Sequence, residues 1–139
     1  MASFWLAVAL LAQAAATLTT VAQGGASGVM DRRELVIRSA DAWQSLWKQH
    51  SSEPVPKIDF SRTMVVGVFL GTRPTAGYEV TIVTARAEGG VVVVEYRERR
   101  PAPGTLAAQV LTSPFHLVRL PQQSGRVEFR QLDGPSAQR

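Results

Sequence analysis

The sequence predicts an α+β domain, a predominantly antiparallel β-sheet with one amphipathic helix packed on it. Three observations lead there. Short apolar runs rich in Val and Ile recur from Glu34 onward, bounded by Gly, Pro and Ser. Only one segment, Ala40 to His50, carries helical periodicity over a useful length. Two runs, Tyr78 to Ala87 and Val91 to Arg97, are joined by Glu88-Gly89-Gly90 and read as an antiparallel hairpin. A mononucleotide-binding α/β unit needs several crossover helices, which this chain does not offer.

The elements follow in order. Glu34 to Arg38 is a brief strand with β-branched centres. Ser39 is placed to cap the next helix, and Asp41 stands where a negative charge meets the positive helix end. Trp43, Leu46 and Trp47 are spaced three and four apart, so they share one stripe. Burial of each is worth roughly 1.5–3 kcal/mol, which makes the stripe a clamp onto a sheet. His50 ends the helix, where the dipole favours a partly positive ring. Pro54 and Pro56 then carry the chain away in extended form.

Met64 to Leu70 has too few polar residues for a solvated face and reads as a central strand, with Gly67 marking a close approach or a bulge. The hairpin follows. Gln109 to Thr112 and Phe115 to Leu120 are two further extended pieces, and Val127 to Phe129 is the last firm element.

A chain of 139 residues allows one compact domain. Every charged residue lies after position 30, so the 15 Lys/Arg, the 11 Asp/Glu and the net +4 belong to residues 31–139. A hydrophobic fraction of 45% suffices for a core, and 19% charged residues are too many for a membrane bundle. Cys is absent and His50 and His116 are the two histidines, so no metal or other cofactor is expected. Export ordinarily permits disulfides, but a domain of this size is stable without them if its core is sufficient.

Ser3 to Thr20 is apolar or small almost throughout and contains Ala12-Gln13-Ala14 and Ala14-Ala15-Ala16, which fit the requirement of signal peptidase. Residues 1–23 are therefore read as a secretory signal peptide. A membrane anchor is the alternative, because no Lys or Arg precedes the run. The run is nevertheless short for a span of about 20 residues and fades into Thr, Gln and Gly. The expected product is exported, periplasmic or secreted, with no integral membrane span after processing. Residues 24–30 are expected as a flexible linker unless Val29 and Met30 are pinned, residues 31–130 as a single domain, and residues 131–139 as a frayed tail.

No phosphate-binding, dinucleotide, zinc-protease, nucleophile-elbow or EF-hand motif is present. Arg97, Arg99 and Arg100 cluster beside Tyr96, but Glu95 and Glu98 dilute the charge. A solvated hairpin edge accounts for them, and no nucleic-acid partner is expected.

One loop stands out. Gly71-Thr72-Arg73-Pro74-Thr75-Ala76-Gly77-Tyr78 joins two apolar strands with two glycines and a proline, a stiff conformation suited to presenting side chains. Two readings of it stand: Arg73 pairs with a carboxylate while Tyr78 packs, or the loop binds a partner. Arg100-Pro101-Ala102-Pro103-Gly104 is similarly stiffened, and Thr112-Ser113-Pro114-Phe115-His116 is a third punctuated segment. His116 reads as a hydrogen-bonded strand histidine or as a general base.

These segments, with the Trp43 and Trp47 helix and Asp59-Phe60-Ser61 before Met64-Val65-Val66, resemble the protease complex subunit PrcB family over about residues 28 to 130. The family's loop usually has two glycines before the tyrosine, and here Ala76 takes the first place. The resemblance implies an accessory subunit of an exported, surface-associated protease complex, with no catalytic residue to carry over. Pro74-Thr75-Ala76-Gly77-Tyr78 is also similar to the loop that chagasin-like inhibitors present to cysteine proteases, although Arg73 stands where those have asparagine.

The expectation is a noncatalytic, exported protein-binding domain whose partner is another exported protein, a protease among the candidates. Thr72, Arg73, Pro74, Thr75, Tyr78, Pro103 and His116 are its candidate contact residues. The alternatives are a chagasin-like protease inhibitor and a small hydrolase using His116 with a nearby carboxylate.

Overall fold

A strand without polar positions needs cover on both faces, and Met64 to Leu70 has it. In the computed structural model, which describes residues 16–133, this stretch lies in β3 (Thr63–Leu70) and is buried throughout. Met64, Val66, Val68 and Leu70 face a second sheet, while Val65 and Phe69 face the helix. Gly67 shares the helix-side face, where a Cβ would stand 2.5 Å from Leu117 Cδ2. The close approach expected there is present, and the register with the neighbouring strand runs unbroken, so there is no bulge.

The first sheet has the order β1 (Thr19–Gly24), β6 (Phe115–Pro121), β3, β2 (Arg32–Ile37), antiparallel throughout. The second has the order β4 (Glu79–Glu88), β5 (Val91–Arg99), β7 (Arg126–Gln131). Its β4–β5 pair is the expected hairpin, with a register shift between Ile82 and Thr84. Among the described residues the architecture is mainly antiparallel with one helix, but there are two sheets rather than one, and β5–β7 is a parallel pair. Single-strand patterns do not report this, because the chain changes sheet in the short 122–125 connection. Arg38 holds that connection by donating to the carbonyls of Gln123 and, at 2.8 Å, Gly125.

Helix α1 (Ala40–His50) covers the outer face of the first sheet with Trp43, Leu46 and Trp47. Ser39 Oγ accepts the Ala42 amide proton at 3.2 Å, as its position predicts. Both indoles are satisfied by the proline-bearing segment that follows, Trp43 Nε1 donating to Pro56 O at 2.9 Å and Trp47 Nε1 to Glu53 O at 2.8 Å. His50 departs from expectation. Its ring is buried, 4.2 Å from the Phe115 ring centroid, with Nδ1 2.8 Å from Ser27 Oγ. Burial lowers its pKa and so disfavours the charged ring, and His50 packs as a core residue.

The two sheets are bonded to each other at two seams. At one, Gln23 Nε2 donates to Val80 O at 2.9 Å and Ala16 N to Ala85 O at 2.8 Å. At the other, Arg32 donates to Tyr96 Oη at 2.6 Å and to Gln131 Oε1 at 2.9 Å, and Tyr96 Oη donates to Glu34 at 2.6 Å. Burial and the adjacent Glu34 carboxylate push Tyr96 up to about 12, which keeps the phenol protonated as a donor.

Residues 1–15 of the expected signal peptide lie outside the described residues, whereas residues 19–23 of it fall in β1. The expected linker at 24–30 is held to the body. Ser27 N donates to Ser113 O at 3.0 Å, Gly28 N donates to His50 O at 2.8 Å, and Val29 is buried. The pinning that sequence made the condition for order is therefore present at Val29, while Met30 stays exposed. Of the expected tail, Leu132 N donates to Tyr96 O at 2.8 Å and Asp133 accepts from Glu98 N at 3.2 Å, and residues 134–139 lie outside the described residues. Gln109 to Thr112 does not form a strand beyond the bridge from Thr112 to Arg73.

Candidate functional site

Three connections cross between strands at the same end of the molecule: 25–31 from β1 to β2, 71–78 from β3 to β4, and 100–114 from β5 to β6. The registers place them so, because Gly24, Phe69 and Phe115 lie level in the first sheet and Glu79 pairs with Arg99 in the second. The loops are also bonded to one another. Arg73 N donates to Thr112 O at 2.7 Å and Thr112 N to Arg73 O at 3.0 Å. Ala76 N donates to Ala108 O at 3.0 Å, Thr112 Oγ1 to Thr75 O at 2.9 Å, and Thr72 N to Met30 O at 3.1 Å.

Six of the seven candidate contact residues gather here, with different duties. Thr72, Pro74 and Pro103 are exposed, and Thr75 and Tyr78 are half-buried. Arg73 follows the structural reading: its Nε is 2.7 Å from Glu98 Oε1, and another of its nitrogens donates to Leu70 O at 3.0 Å. The Glu98 side chain is 3% exposed, so this guanidinium neutralises a carboxylate removed from water. It also lies 5.9 Å from the Tyr78 ring centroid. The left-handed backbone falls on Gly77, at φ 94°, and no non-glycine residue described has positive φ. Ala76 therefore meets no conformational obstacle.

His116 lies apart from the loops. It is 4% exposed and faces the second sheet, with Nδ1 accepting the Ile82 amide proton at 2.8 Å and Nε2 2.9 Å from Thr20 Oγ1. Since Nδ1 accepts, Nε2 carries the ring proton and donates to Thr20. Burial lowers its pKa to about 4. Both ring nitrogens serve the fold, which removes His116 from the contact surface and leaves it no carboxylate partner for the hydrolase reading. Among the described residues the one Ser–His contact, Ser27 with His50, is buried, and Ser27 Oγ also accepts Val29 N–H at 3.0 Å. Among the described residues, no three of His, Asp and Glu converge as metal ligands. No described helix is long and apolar enough to cross a membrane.

Two open grooves flank the Ala76–Gly77 turn. One, of about 480 Å³, runs between Gln23–Gly25 and Tyr78–Val80. The other, of about 450 Å³, is lined by Pro101, Leu106 and Ala107, with Arg99 and Arg100 beside them. Arg99 is 3.8 Å from Glu79 and Arg100 is 3.9 Å from Glu98, so the basic cluster is partly compensated, as its neighbouring glutamates implied.

The sequence reading missed the apolar side chains of this end. Of the seven large hydrophobic residues exposed among those described, Met30, Leu106, Val110 and Leu111 lie on these loops, and Leu106 is fully exposed. Their signal was available: Thr105 to Thr112 carries three aliphatic residues without strand alternation or helical spacing.

Residues 64–121 match the family model described as PrcB C-terminal. The match runs from β3 to the end of β6, so it contains the loops 71–78 and 100–114 and is narrower than the resemblance read from sequence. No curated protein and no solved structure matches the chain.

Proposed function

We propose that this is a noncatalytic, exported protein-binding domain that meets another exported protein through the loop end formed by residues 30, 71–78 and 100–112. One observation carries the reading: four large apolar side chains stand in solvent on connections that are hydrogen-bonded to one another. Apolar side chains held out by rigid loops are a feature of association surfaces. The family match covers both bonded loops, and the resemblance to the PrcB family makes an exported protease complex the first place to look for the partner.

Site-specific photo-crosslinking in the cell tests this. A photoreactive residue at Leu106 or Leu111 is expected to give one discrete higher-mass adduct, and the same residue at Val83, exposed on β4, is expected to give none. Adducts at Val83 alone would contradict the surface. The inhibitor reading would take precedence if the purified domain inhibited a papain-like protease with saturation.

A further inference from the structure

One guanidinium is left over at the groove of about 450 Å³ beside the Ala76–Gly77 turn. The Glu98 carboxylate, its side chain 3% exposed, is held by Arg73 at 2.7 Å, whereas Arg100 comes only to 3.9 Å of it and is itself 63% exposed. The buried carboxylate thus neutralises the closer arginine and leaves the outer one facing solvent. Arg99, 80% exposed, has Glu79 at 3.8 Å, an exposed pair that holds neither side chain firmly. Both arginines line the groove together with Pro101, Leu106 and Ala107. Its frame is fixed: Pro101 packs on Gly77, where an added Cβ would stand 2.9 Å from Pro101 Cγ, Thr105 N donates to Ala102 O at 3.0 Å, and Ala76 N donates to Ala108 O at 3.0 Å. Leu106 stands fully exposed between these last two bonds. A surplus cation and an uncovered aliphatic side chain on a backbone already in place lose little entropy when matching chemistry arrives. That chemistry is a carboxylate with an apolar neighbour. A nucleic-acid backbone would meet Leu106, Pro101 and the Glu79 carboxylate instead of a continuous line of cations.

We infer that this groove takes a short segment of the partner protein that presents an Asp or Glu carboxylate to Arg100 and an aliphatic side chain to Leu106. The inference rests on the loop end being the binding surface proposed above and adds the chemistry that the partner brings to it. A guanidinium offers a carboxylate two parallel N–H donors, which an ammonium does not reproduce.

A photoreactive residue tests this in the full chain in the cell, placed at Ala102, which lines the groove, and separately at Leu111, on the loop end outside it. Protein adducts are expected at both positions. Arg100→Gln is expected to lower the Ala102 adduct about tenfold or more, Arg100→Lys to retain more of it, and Arg97→Gln, exposed on β5 away from the groove lining, to leave it unchanged. The partner segment joined to Ala102 is expected to carry an Asp or Glu whose amide variant lowers the adduct equally, with no further loss when combined with Arg100→Gln. That partner-side variant probes the same contact without touching the fold of this chain. An adduct at Leu111 with none at Ala102, an Ala102 adduct indifferent to Arg100→Gln, or a joined segment without Asp or Glu would overturn the inference and leave the loop-end surface standing. Adducts removed by nuclease, or none at either position, would overturn both.

Discussion

His116 Nδ1 accepts the backbone amide proton of Ile82 across 2.8 Å, joining the two sheets through a side chain. The bond requires an unprotonated Nδ1, so acid opposes it. Burial lowers the pKa from 6.5 to about 4, which means the unfolded chain binds the proton more readily. Stability is complete above about pH 6.5 and falls as pH drops toward about 4, by about 1.4 kcal/mol per pH unit once the unfolded histidine is protonated. His50, also lowered by burial, adds to the same trend. Urea midpoints between about pH 7 and 5 measure it, above the range where carboxylates dominate. His116→Gln, which preserves an acceptor and a donor, is expected to flatten the slope. An unchanged slope would contradict the linkage.

Thr20→Val tests the other side of the same ring. It removes the acceptor of the Nε2 proton at a part-buried place beside an exposed residue, at a cost of about 1 kcal/mol. Chemical denaturation measures the loss, and a change below about 0.5 kcal/mol would show that β1 contributes little through this bond.

Arg73→Ala strands the buried Glu98 carboxylate. Because Arg73 is itself 23% exposed and Arg100 lies 3.9 Å from Glu98, the cost is expected at the low end for a broken buried pair, about 3 kcal/mol. Glu98→Gln in the same chain is expected to recover part of it. A partner lost with Arg73→Ala alone thus reports a damaged loop and not a removed contact.

Gly67→Ala places a methyl group 2.5 Å from Leu117 Cδ2 beneath the helix. Overpacking of this kind costs about 1–3 kcal/mol. Thermal unfolding is expected to show a lowered midpoint, and an unchanged one would mean Leu117 moves freely.

Much of the fold was legible because its signals are local. The Ser39 cap and the Trp43, Leu46, Trp47 stripe fix α1 at Ala40–His50, and the apolar run fixes β3 as central. What was not legible depends on distant partners. Thr19–Gly24 has the composition of a fading leader and becomes a strand only because β6 offers an edge. The parallel pairing of β7 is set by a sheet change that no periodicity records. At the candidate site, the punctuated loops were visible and their meeting was not, since that follows from strand register. His116, read as a hydrogen-bonded strand histidine or a general base, takes the first of these roles on β6, where it is turned toward Ile82. Leu106 and Leu111 lie in a run without strand alternation or helical spacing, a weak signal of exposure that the reading of Gln109 to Thr112 as an extended piece passed over.

The most direct measurement is affinity capture of the tagged, processed protein from its own envelope and medium after mild crosslinking, wild type beside Leu106→Asp, Leu111→Asp, read by mass spectrometry. Both side chains stand in solvent, so the variant's unfolding free energy is expected within about 0.5 kcal/mol of wild type. The account predicts one protein enriched with wild type and lost with the equally stable variant. Equal enrichment with both forms would contradict the loop end as the binding surface.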